Sequence, residues 1–153
     1  MANTYTQVYI QLIFVVKFRK ALIESGWEER LFKYMIGIIH QNGHKVLAIN
    51  GMPDHLHILI SMKPVQSISD LAQKVKSSSS KWINENGLAR GKFAWQTGYA
   101  GFSYTKSHVD RVVKYIANQK AHHTKTGFQF EYKRILDELG IEYKEEYLFK
   151  SPE

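Results

Sequence analysis

The chain has 153 residues, of which 44% are hydrophobic and none is cysteine, so it can form one domain with a core but neither disulfides nor thiolate metal sites. Its longest apolar run, residues 12–16, is too short to cross a bilayer, and the polar start does not resemble a signal peptide, which predicts a soluble cytoplasmic protein. The net charge of +7 favours an anionic partner such as nucleic acid, although a solvated lysine-rich surface gives the same count.

The first half of the chain predicts a strand, a helix and a hairpin. Residues 5–16 alternate between apolar and polar side chains, as a strand does. Residues 26–43 carry apolar side chains at helical spacing and end in Asn-Gly, a common helix terminator. Two β-prone runs, 45–50 and 55–62, flank a Gly-Met-Pro-Asp turn and are expected to pair with each other.

The second half predicts two capped helices around another strand. A capping-box pattern opens a helix over 67–87, with Ser67 as N-cap. The aromatic segment 93–104 is predicted to be a fourth strand, bulged at a glycine. A second capping box, with Ser107 as N-cap, opens a helix over about 107–123.

The end of the chain differs in charge from the rest. Residues 129–153 carry net −3, whereas residues 1–128 carry net +10. Helical spacing over 129–139 predicts a final helix, so an acidic helix and tail occupy about 128–153. With no linker in view, residues 1–153 are expected to form a single domain.

The order β-α-β-β-α-β followed by helices predicts a ferredoxin-like α+β fold, in which an antiparallel sheet carries two helices on one face. On the third strand, Leu56, Ile58 and Ile60 occupy one side and His55 and His57 the other. If the aliphatic side packs on the helices, the histidines lie on the uncovered face, where a ligand or another chain could reach them.

Two histidines therefore stand two residues apart on one strand. Side chains at i and i+2 lie about 6.5 Å apart along the same face, so His55 and His57 can reach one cation. The same spacing arises by chance in a chain with seven histidines, and a partly exposed strand tolerates histidine without a ligand. The pair predicts half of a metal site.

The predicted helix over 107–123 offers a partner for this pair. At about 100° per residue, its aliphatic side chains gather on one side and a polar stripe collects on another. The stripe contains His108, Arg111, Tyr115, Gln119 and His122. Tyr115 and Gln119, at i and i+4, would present a phenol and an amide oxygen to one site, and an amide suits Mg²⁺ or Mn²⁺ better than a structural zinc. The alternative is an amphipathic surface tyrosine that binds nothing.

Three blocks of the sequence carry a recognisable pattern. They are His55-Leu56-His57 after Met52-Pro53-Asp54; Trp95-Gln96 before Gly98-Tyr99-Ala100-Gly101-Phe102-Ser103; and Tyr115-x-x-x-Gln119 before His122-His123. In order and spacing, across residues 5 to about 141, they resemble the single-tyrosine HUH transposases of small, IS200-like insertion sequences. One departure is visible, because the family segment usually reads Gly-Tyr-Gly-Ala-Phe-Ser and here Ala100 and Gly101 are exchanged.

The resemblance implies a bacterial or archaeal enzyme that cleaves and rejoins single-stranded DNA at insertion-sequence ends without a nucleotide cofactor. It implies that Tyr115 is the nucleophile, forming a 5′-phosphotyrosine, and that His55, His57 and Gln119 bind Mg²⁺ or Mn²⁺. A free phenol ionises at about pH 10, so the metal or cations such as Arg111 and Lys114 are expected to activate it. Family members are homodimers, and in several the tyrosine helix of one subunit completes the histidine site of the other.

The implied substrate is single-stranded DNA with hairpins at the element ends. Basic side chains that could contact phosphates without reading sequence are Lys74, Lys76, Lys81, Arg90, Lys92 and Arg111. For each of them, a solvated lysine-rich surface is the alternative.

Two other functions fit the same pattern. A domesticated HUH endonuclease would cut host repeat hairpins without moving an element, and genomic context separates it from a transposase. A metal-independent nucleic-acid-binding module could stack bases on sheet aromatics such as Tyr9 and Tyr99. The binding module predicts no covalent protein–DNA adduct.

Overall fold

The computed structural model describes residues 4–123 and residues 133, 134, 136 and 137, with the backbone alone for His122 and His123. The elements within these residues are β1 Tyr9–Val15, α1 Glu28–Gln41, β2 Lys45–Met52, β3 His55–Ser61, α2 Ile68–Glu85, β4 Ala100–Tyr104, α3 Lys106–Ala117 and α4 Gln119–His123. Residues 133, 134, 136 and 137 are helical and fall within the predicted helix over 129–139. The rest of that helix and of the acidic segment at about 128–153 lies outside the described residues.

The sheet has the strand order β2-β3-β1-β4, with every neighbouring pair antiparallel. Two helices connect its strands as predicted, which confirms the ferredoxin-like α+β arrangement. The central strand β1 begins at Tyr9 rather than at residue 5, because Tyr9 is the first residue that pairs with both neighbouring strands. In this register His57 lies between Ile13 of β1 and Asn50 of β2.

One face of the sheet packs on α1 and α2 and forms the main core. The alternating side chains of β1 and β3 lie on this face, as predicted, and all are nearly inaccessible to solvent. The helices contribute apolar residues spaced by three or four, such as Leu31 and Met35 of α1 and Leu71 and Val75 of α2. Ser67 caps α2 by accepting a hydrogen bond from the Asp70 N–H, which confirms Ser67 as the N-cap.

The predicted fourth strand over 93–104 is too long. Only Ala100–Tyr104 pairs with β1, and Trp95 forms a single isolated bridge with Val16. Gly98, at φ 86°, interrupts the extended backbone. Trp95 instead fills the main core, where its indole N–H donates to the buried Ser79 hydroxyl over 3.0 Å.

The opposite face of the sheet is covered, which contradicts the expectation that the histidines lie on an open surface. Val112 and Ile116 of α3 pack against Leu59 of β3 and form a second apolar cluster. Leu136 packs beside it in a third cluster with Ile13 of β1. The apolar stripe of α3 needs a partner, and this sheet face supplies one.

The predicted helix over 107–123 is two helices. It begins after Thr105 rather than Ser107, so the second capping box is wrong; the Thr105 hydroxyl instead bonds the His108 ring over 2.8 Å. The first helix ends at Ala117, and Asn118 separates it from α4. In the part of the chain that is described, no helix is long and apolar enough to span a membrane.

Candidate metal and nucleophile site

The two histidines of β3 lie side by side beneath α3 and α4. Their ring centroids are 5.2 Å apart, and the exposed fractions of His55 and His57 are 1% and 0%. The i, i+2 spacing therefore brings both rings to one place, as the sequence predicts, but in a buried setting.

Each imidazole is held by an oxygen acceptor at Nδ1. Asp54 Oδ1 lies 2.7 Å from His55 Nδ1, and Gln11 Oε1 lies 2.8 Å from His57 Nδ1. With the ring protons donated to these oxygens, both Nε2 atoms carry lone pairs. Such outer hydrogen bonds fix the tautomer and orientation of metal-binding histidines.

The Asp54 carboxylate is suited to this role because it stays ionised. Burial raises its pKa, but the hydrogen bond from His55, a backbone hydrogen bond and the charge of Arg19 bring the pKa below the ordinary aspartate value. An ionised carboxylate is the stronger acceptor for the His55 ring N–H.

Gln119 completes the group on the other side of His55. Its Oε1 lies 3.4 Å from His55 Nε2, and its side chain is 0% exposed. When the His55 proton is on Nδ1, these two atoms are both acceptors, an arrangement that a cation between them would satisfy. No group of three or more His, Cys, Asp and Glu comes together in the described residues, so a cation here would depend on this amide oxygen and on water or substrate oxygens.

Polar contacts with β2 and with the first residue of α1 fix the start of α4, and hence Gln119. The Asn50 amide donates to the Ala117 carbonyl over 3.1 Å, which ties down the last residue of α3. The Lys120 ammonium donates to Asn50 Oδ1 and to Glu28, both over 3.0 Å. Gln119 lies between these anchored residues and points inward, while the chain turns at Asn118.

Tyr115 of α3 contacts the histidine pair. Its ring lies edge-on to His57, with 5.8 Å between centroids, and its hydroxyl oxygen is buried. Tyr115, predicted on the polar stripe and outside the core, is half-buried, because its ring packs against the apolar cluster around Leu59. The prediction that Tyr115 and Gln119 are stacked at i and i+4 on one helix is also wrong, since the helix breaks at Asn118, between these two residues.

A cavity of about 220 Å³ opens beside Tyr115. Gln11, Tyr104, His108, Arg111, Val112 and Tyr115 line it. The predicted contact residue Arg111 is exposed and lies on the wall that also bears the phenol. The cavity therefore lies beside the Tyr115 ring, whose hydroxyl oxygen is itself buried.

Sequence reasoning missed Gln11 and Tyr104 as members of the site. The Gln11 amide, 1% exposed, donates to the Tyr104 hydroxyl over 2.7 Å while accepting from His57. Burial raises the pKa of Tyr104, and this hydrogen bond offsets part of the rise. The signal was available, since Gln11 is a polar residue on the histidine-bearing face of the central strand.

The predicted DNA-contact lysines of α2 are engaged with the protein. The Lys76 ammonium donates to the carbonyls of Gln96 and Gly98, and burial lowers its pKa. Lys74 bonds the Asn42 side chain over 3.4 Å, and Lys81 lies 3.8 Å from a glutamate one helical turn away.

The two predicted DNA-contact residues after α2 have different surroundings, an ion pair for Arg90 and a cleft for Lys92. Arg90 pairs with Glu24 over 3.0 Å at a largely exposed position. Lys92 is exposed and lines a cleft shared with Lys17 and Lys20, which the sequence did not single out.

Comparison with known proteins gives consistent matches. A family model described as "Transposase IS200 like" matches residues 4–119, a span that includes His55, His57, Tyr115 and Gln119. The ISDra2 transposase TnpA of Deinococcus radiodurans is 28% identical over 118 residues, which are 74% of this chain and 84% of that protein.

Two solved structures share the fold. A candidate transposase from Deinococcus radiodurans R1 has a TM-score of 0.61 at 21% identity, with 78% of this chain and 95% of that chain covered. A REP-associated tyrosine transposase bound to a REP hairpin has a TM-score of 0.59 at 14% identity, with 84% of this chain and 74% of that chain covered.

Proposed function

The chain belongs to the family of IS200-like transposases, and on that basis we propose that it cleaves and rejoins single-stranded DNA at insertion-sequence ends through a covalent link to Tyr115. The contact between Tyr115 and His57, with 5.8 Å between ring centroids, carries the proposal. It sets a nucleophilic side chain beside two imidazoles and an amide that share one buried location.

The proposed metal ligands are His55, His57 and Gln119. The amide oxygen, with water and phosphate oxygens in the remaining positions, suits Mg²⁺ or Mn²⁺, and the two neutral imidazole nitrogens would complete the coordination. When bound, a divalent cation would polarise the scissile phosphate and orient it for in-line attack. Asp54 and Gln11 support this role, because they keep both Nδ1 protons away from the shared centre.

In the proposed reaction, the Tyr115 oxygen attacks phosphorus while the bond from phosphorus to the 3′-oxygen breaks. The phenol gives up its proton and the departing 3′-oxygen gains one, so the products are a 5′-phosphotyrosine and a free 3′-hydroxyl. One phosphate ester replaces another, so the reverse step rejoins strands without a nucleotide cofactor. Arg111, on the wall of the cavity beside Tyr115, would attract the phosphate.

The proposed partner is single-stranded DNA that contains a hairpin. The net charge of +7 and the REP hairpin in the structure of a related fold support it. A domesticated endonuclease that cuts host repeat hairpins remains the second candidate, because that neighbour is a REP-associated transposase. Excision at the ends that flank the coding sequence would support the transposase, whereas cutting restricted to dispersed host repeats would support the endonuclease.

A covalent-adduct assay tests the nucleophile. Labelled single strands from both flanks of the coding sequence are incubated with the protein and Mn²⁺, and an adduct that survives denaturation is measured. We expect Tyr115→Phe to abolish the adduct and Tyr99→Phe, at an exposed tyrosine, to retain it. An undiminished adduct from Tyr115→Phe would refute the assignment, and no adduct from the unmodified protein would favour a binding module.

A matched pair of histidine variants tests the metal ligands. His57→Ala should abolish cleavage while hairpin binding stays measurable. His44 is also buried and hydrogen-bonded, but it bonds Gln66 and the Lys63 backbone away from the site. His44→Ala should therefore lower thermal stability and keep cleavage; loss of cleavage in both variants alike would indicate that His57 has a structural role.

A homodimer is proposed on the family resemblance, and chain mixing tests which subunit supplies the tyrosine. Tyr115→Phe and His57→Ala chains are mixed after partial unfolding and refolded together. Adduct formation in the mixture would mean that α3 is exchanged between subunits. Its absence, with the mixed dimer verified by differential tags, would mean that Tyr115 serves the histidines of its own chain.

A further inference from the structure

The chain makes an unusual basic turn where it leaves β1. Residues Lys17–Arg19 form a short 3₁₀ turn in which Phe18 and Arg19 have φ of 59° and 51°. Side chains with a Cβ rarely adopt this left-handed conformation, and glycine would adopt it freely. Strained backbone of this kind is typical of ligand-binding segments, where the surrounding structure maintains it.

The turn gathers positive charge around one aromatic ring. The Lys17 and Lys20 ammonium groups lie 5.3 and 5.8 Å from the centroid of the Phe18 ring. Such cation–π contacts restrain two otherwise flexible side chains. Without the left-handed step at Phe18, an extended chain would carry these two lysines away from each other.

A third lysine faces them across a cleft of about 180 Å³. Lys92 lines this cleft with Lys17 and Lys20, and none of the lining residues that the structure describes is acidic. The Lys17 N–H donates to the Ala94 carbonyl over 2.9 Å, which holds the turn against the segment that carries Lys92. Among the described residues, no carboxylate forms an ion pair with any of the three lysines.

The cleft lies at the end of the sheet where His55 lies. Val15 is the strand partner of His55, and the Val16 N–H donates to the Asp54 carbonyl over 2.8 Å. Lys17 is the next residue along the chain. The basic turn therefore begins two residues after the strand partner of His55.

We propose that Lys17, Lys20 and Lys92 form a clamp for backbone phosphates of single-stranded DNA next to the cleavage site, with Phe18 as a positioning residue for the first two. The proposal rests on the proposed DNA-cleaving function. The clamp is favoured over the α2 lysines, because Lys76 is committed to two backbone carbonyls. Ammonium groups bind phosphate as point charges, so the clamp confers affinity without sequence preference.

The salt dependence of DNA binding tests the clamp. Fluorescence anisotropy with a labelled oligothymidylate and a labelled single-stranded flank is measured without metal, in a Tyr115→Phe background that cannot form an adduct. For single strands, each phosphate contact contributes about 0.7 to the slope of log affinity against log salt. A triple Lys→Gln variant at positions 17, 20 and 92 should lower the slope by about 2 and the affinity at about 0.1 M salt by roughly 100-fold.

A charge-matched control separates a local clamp from general attraction. The control triple carries Lys→Gln at positions 33, 45 and 63, three exposed lysines elsewhere on the surface that are not among the predicted DNA contacts. It should change the slope by less than about 0.7, that is, by less than one contact. Equal losses in the two triples, or no loss in the cleft triple, would overturn the proposal.

The Phe18→Asn variant tests the positioning role. Asparagine tolerates the left-handed backbone but has no aromatic ring, so the turn should persist while the lysines lose their restraint. We expect DNA affinity to fall by about 2- to 5-fold per lysine, with circular dichroism and thermal midpoint close to those of the parent. Unchanged affinity would refute the role of Phe18.

The clamp and the cleavage chemistry can fail separately. Oligonucleotide binding in these assays requires neither the metal nor Tyr115. If the unmodified protein forms no adduct but the triple variant at positions 17, 20 and 92 has a reduced salt slope, the clamp stands and the proposed chemistry is refuted. If the unmodified protein forms the adduct but the triple variant keeps the salt slope of its parent, the chemistry stands and the clamp is refuted.

Discussion

Gln11 offers the sharpest test of how the histidine pair is held, because its amide joins two buried groups. It accepts from His57 over 2.8 Å and donates to Tyr104 over 2.7 Å, and it is 1% exposed. In Gln11→Leu, water has little access to replace the lost acceptor. Loss of such an outer partner typically lowers metal affinity by about 10- to 100-fold. Because the buried His57 ring N–H would lose its acceptor in this variant, the free energy of unfolding should also fall by about 1–3 kcal/mol.

Mn²⁺ titration by calorimetry, on the protein without DNA, measures the affinity, and thermal denaturation measures the stability. Gln66→Leu is the matched control, because Gln66 Oε1 makes the same kind of bond, over 3.0 Å, to the buried His44. It should lower stability but not Mn²⁺ affinity. Gln11→Glu should bind Mn²⁺ at least as well as the parent, since a carboxylate also accepts from the His57 ring. Unchanged Mn²⁺ affinity in Gln11→Leu would refute the reasoning.

Three further variants or pairs test the fold around the site. A Cβ on Gly51 would clash with the His55 carbonyl oxygen of β3, so Gly51→Ala should destabilise the fold by about 2–3 kcal/mol. Gly37 lies in open space on α1, so Gly37→Ala should stabilise the fold by about 0.5–1 kcal/mol. Opposite shifts of the thermal midpoint check this pair. Lys76→Met should lower the free energy of unfolding, measured by urea denaturation, by about 1–2 kcal/mol, because Lys76 bonds two carbonyls. Lys81→Met should lower it by less than about 0.5 kcal/mol, because Lys81 makes only an exposed ion pair. A smaller loss at Lys76 than at Lys81 would contradict the bonding to two carbonyls. Burial raises the pKa of Tyr104, so the neutral phenol stabilises the fold below about pH 10, and this contribution is lost as pH rises through the folded pKa. As pH rises above about 10, Tyr104→Phe should therefore lose less of its free energy of unfolding than the parent protein does. Equal losses in the two proteins would contradict the raised pKa.

The order of strands and helices followed from periodicity because each element buries one face. The i, i+2 alternation of β1 and β3 predicted which side chains meet α1 and α2, and the main core contains Leu12, Phe14, Leu56 and Ile58 as expected. Strand ends were less predictable. Segment 93–104 has β-prone residues throughout, but a ladder also needs a partner strand, and Trp95 finds its best burial in the core instead.

That His55, His57, Tyr115 and Gln119, the proposed metal ligands and nucleophile, lie close together was predictable from the sequence, whereas their geometry was not. A 3.6-residue period places Tyr115 and Gln119 on one stripe of one helix, but it carries no information about a break at Asn118. That break depends on long-range contacts, the bonds from Asn50 to Ala117 and from Lys120 to Asn50. Such contacts join residues about 70 positions apart, beyond any window of local sequence.

The covering of the histidine-bearing face was implicit in the apolar stripe of α3. A helix with an aliphatic side must bury it, and α1 and α2 already occupy one face of the sheet. The surface left for Val112 and Ile116 is the opposite face around Leu59, which is where they pack. That same packing carries Tyr115 to His57, so an open histidine face and a tyrosine beside it are mutually exclusive within one chain.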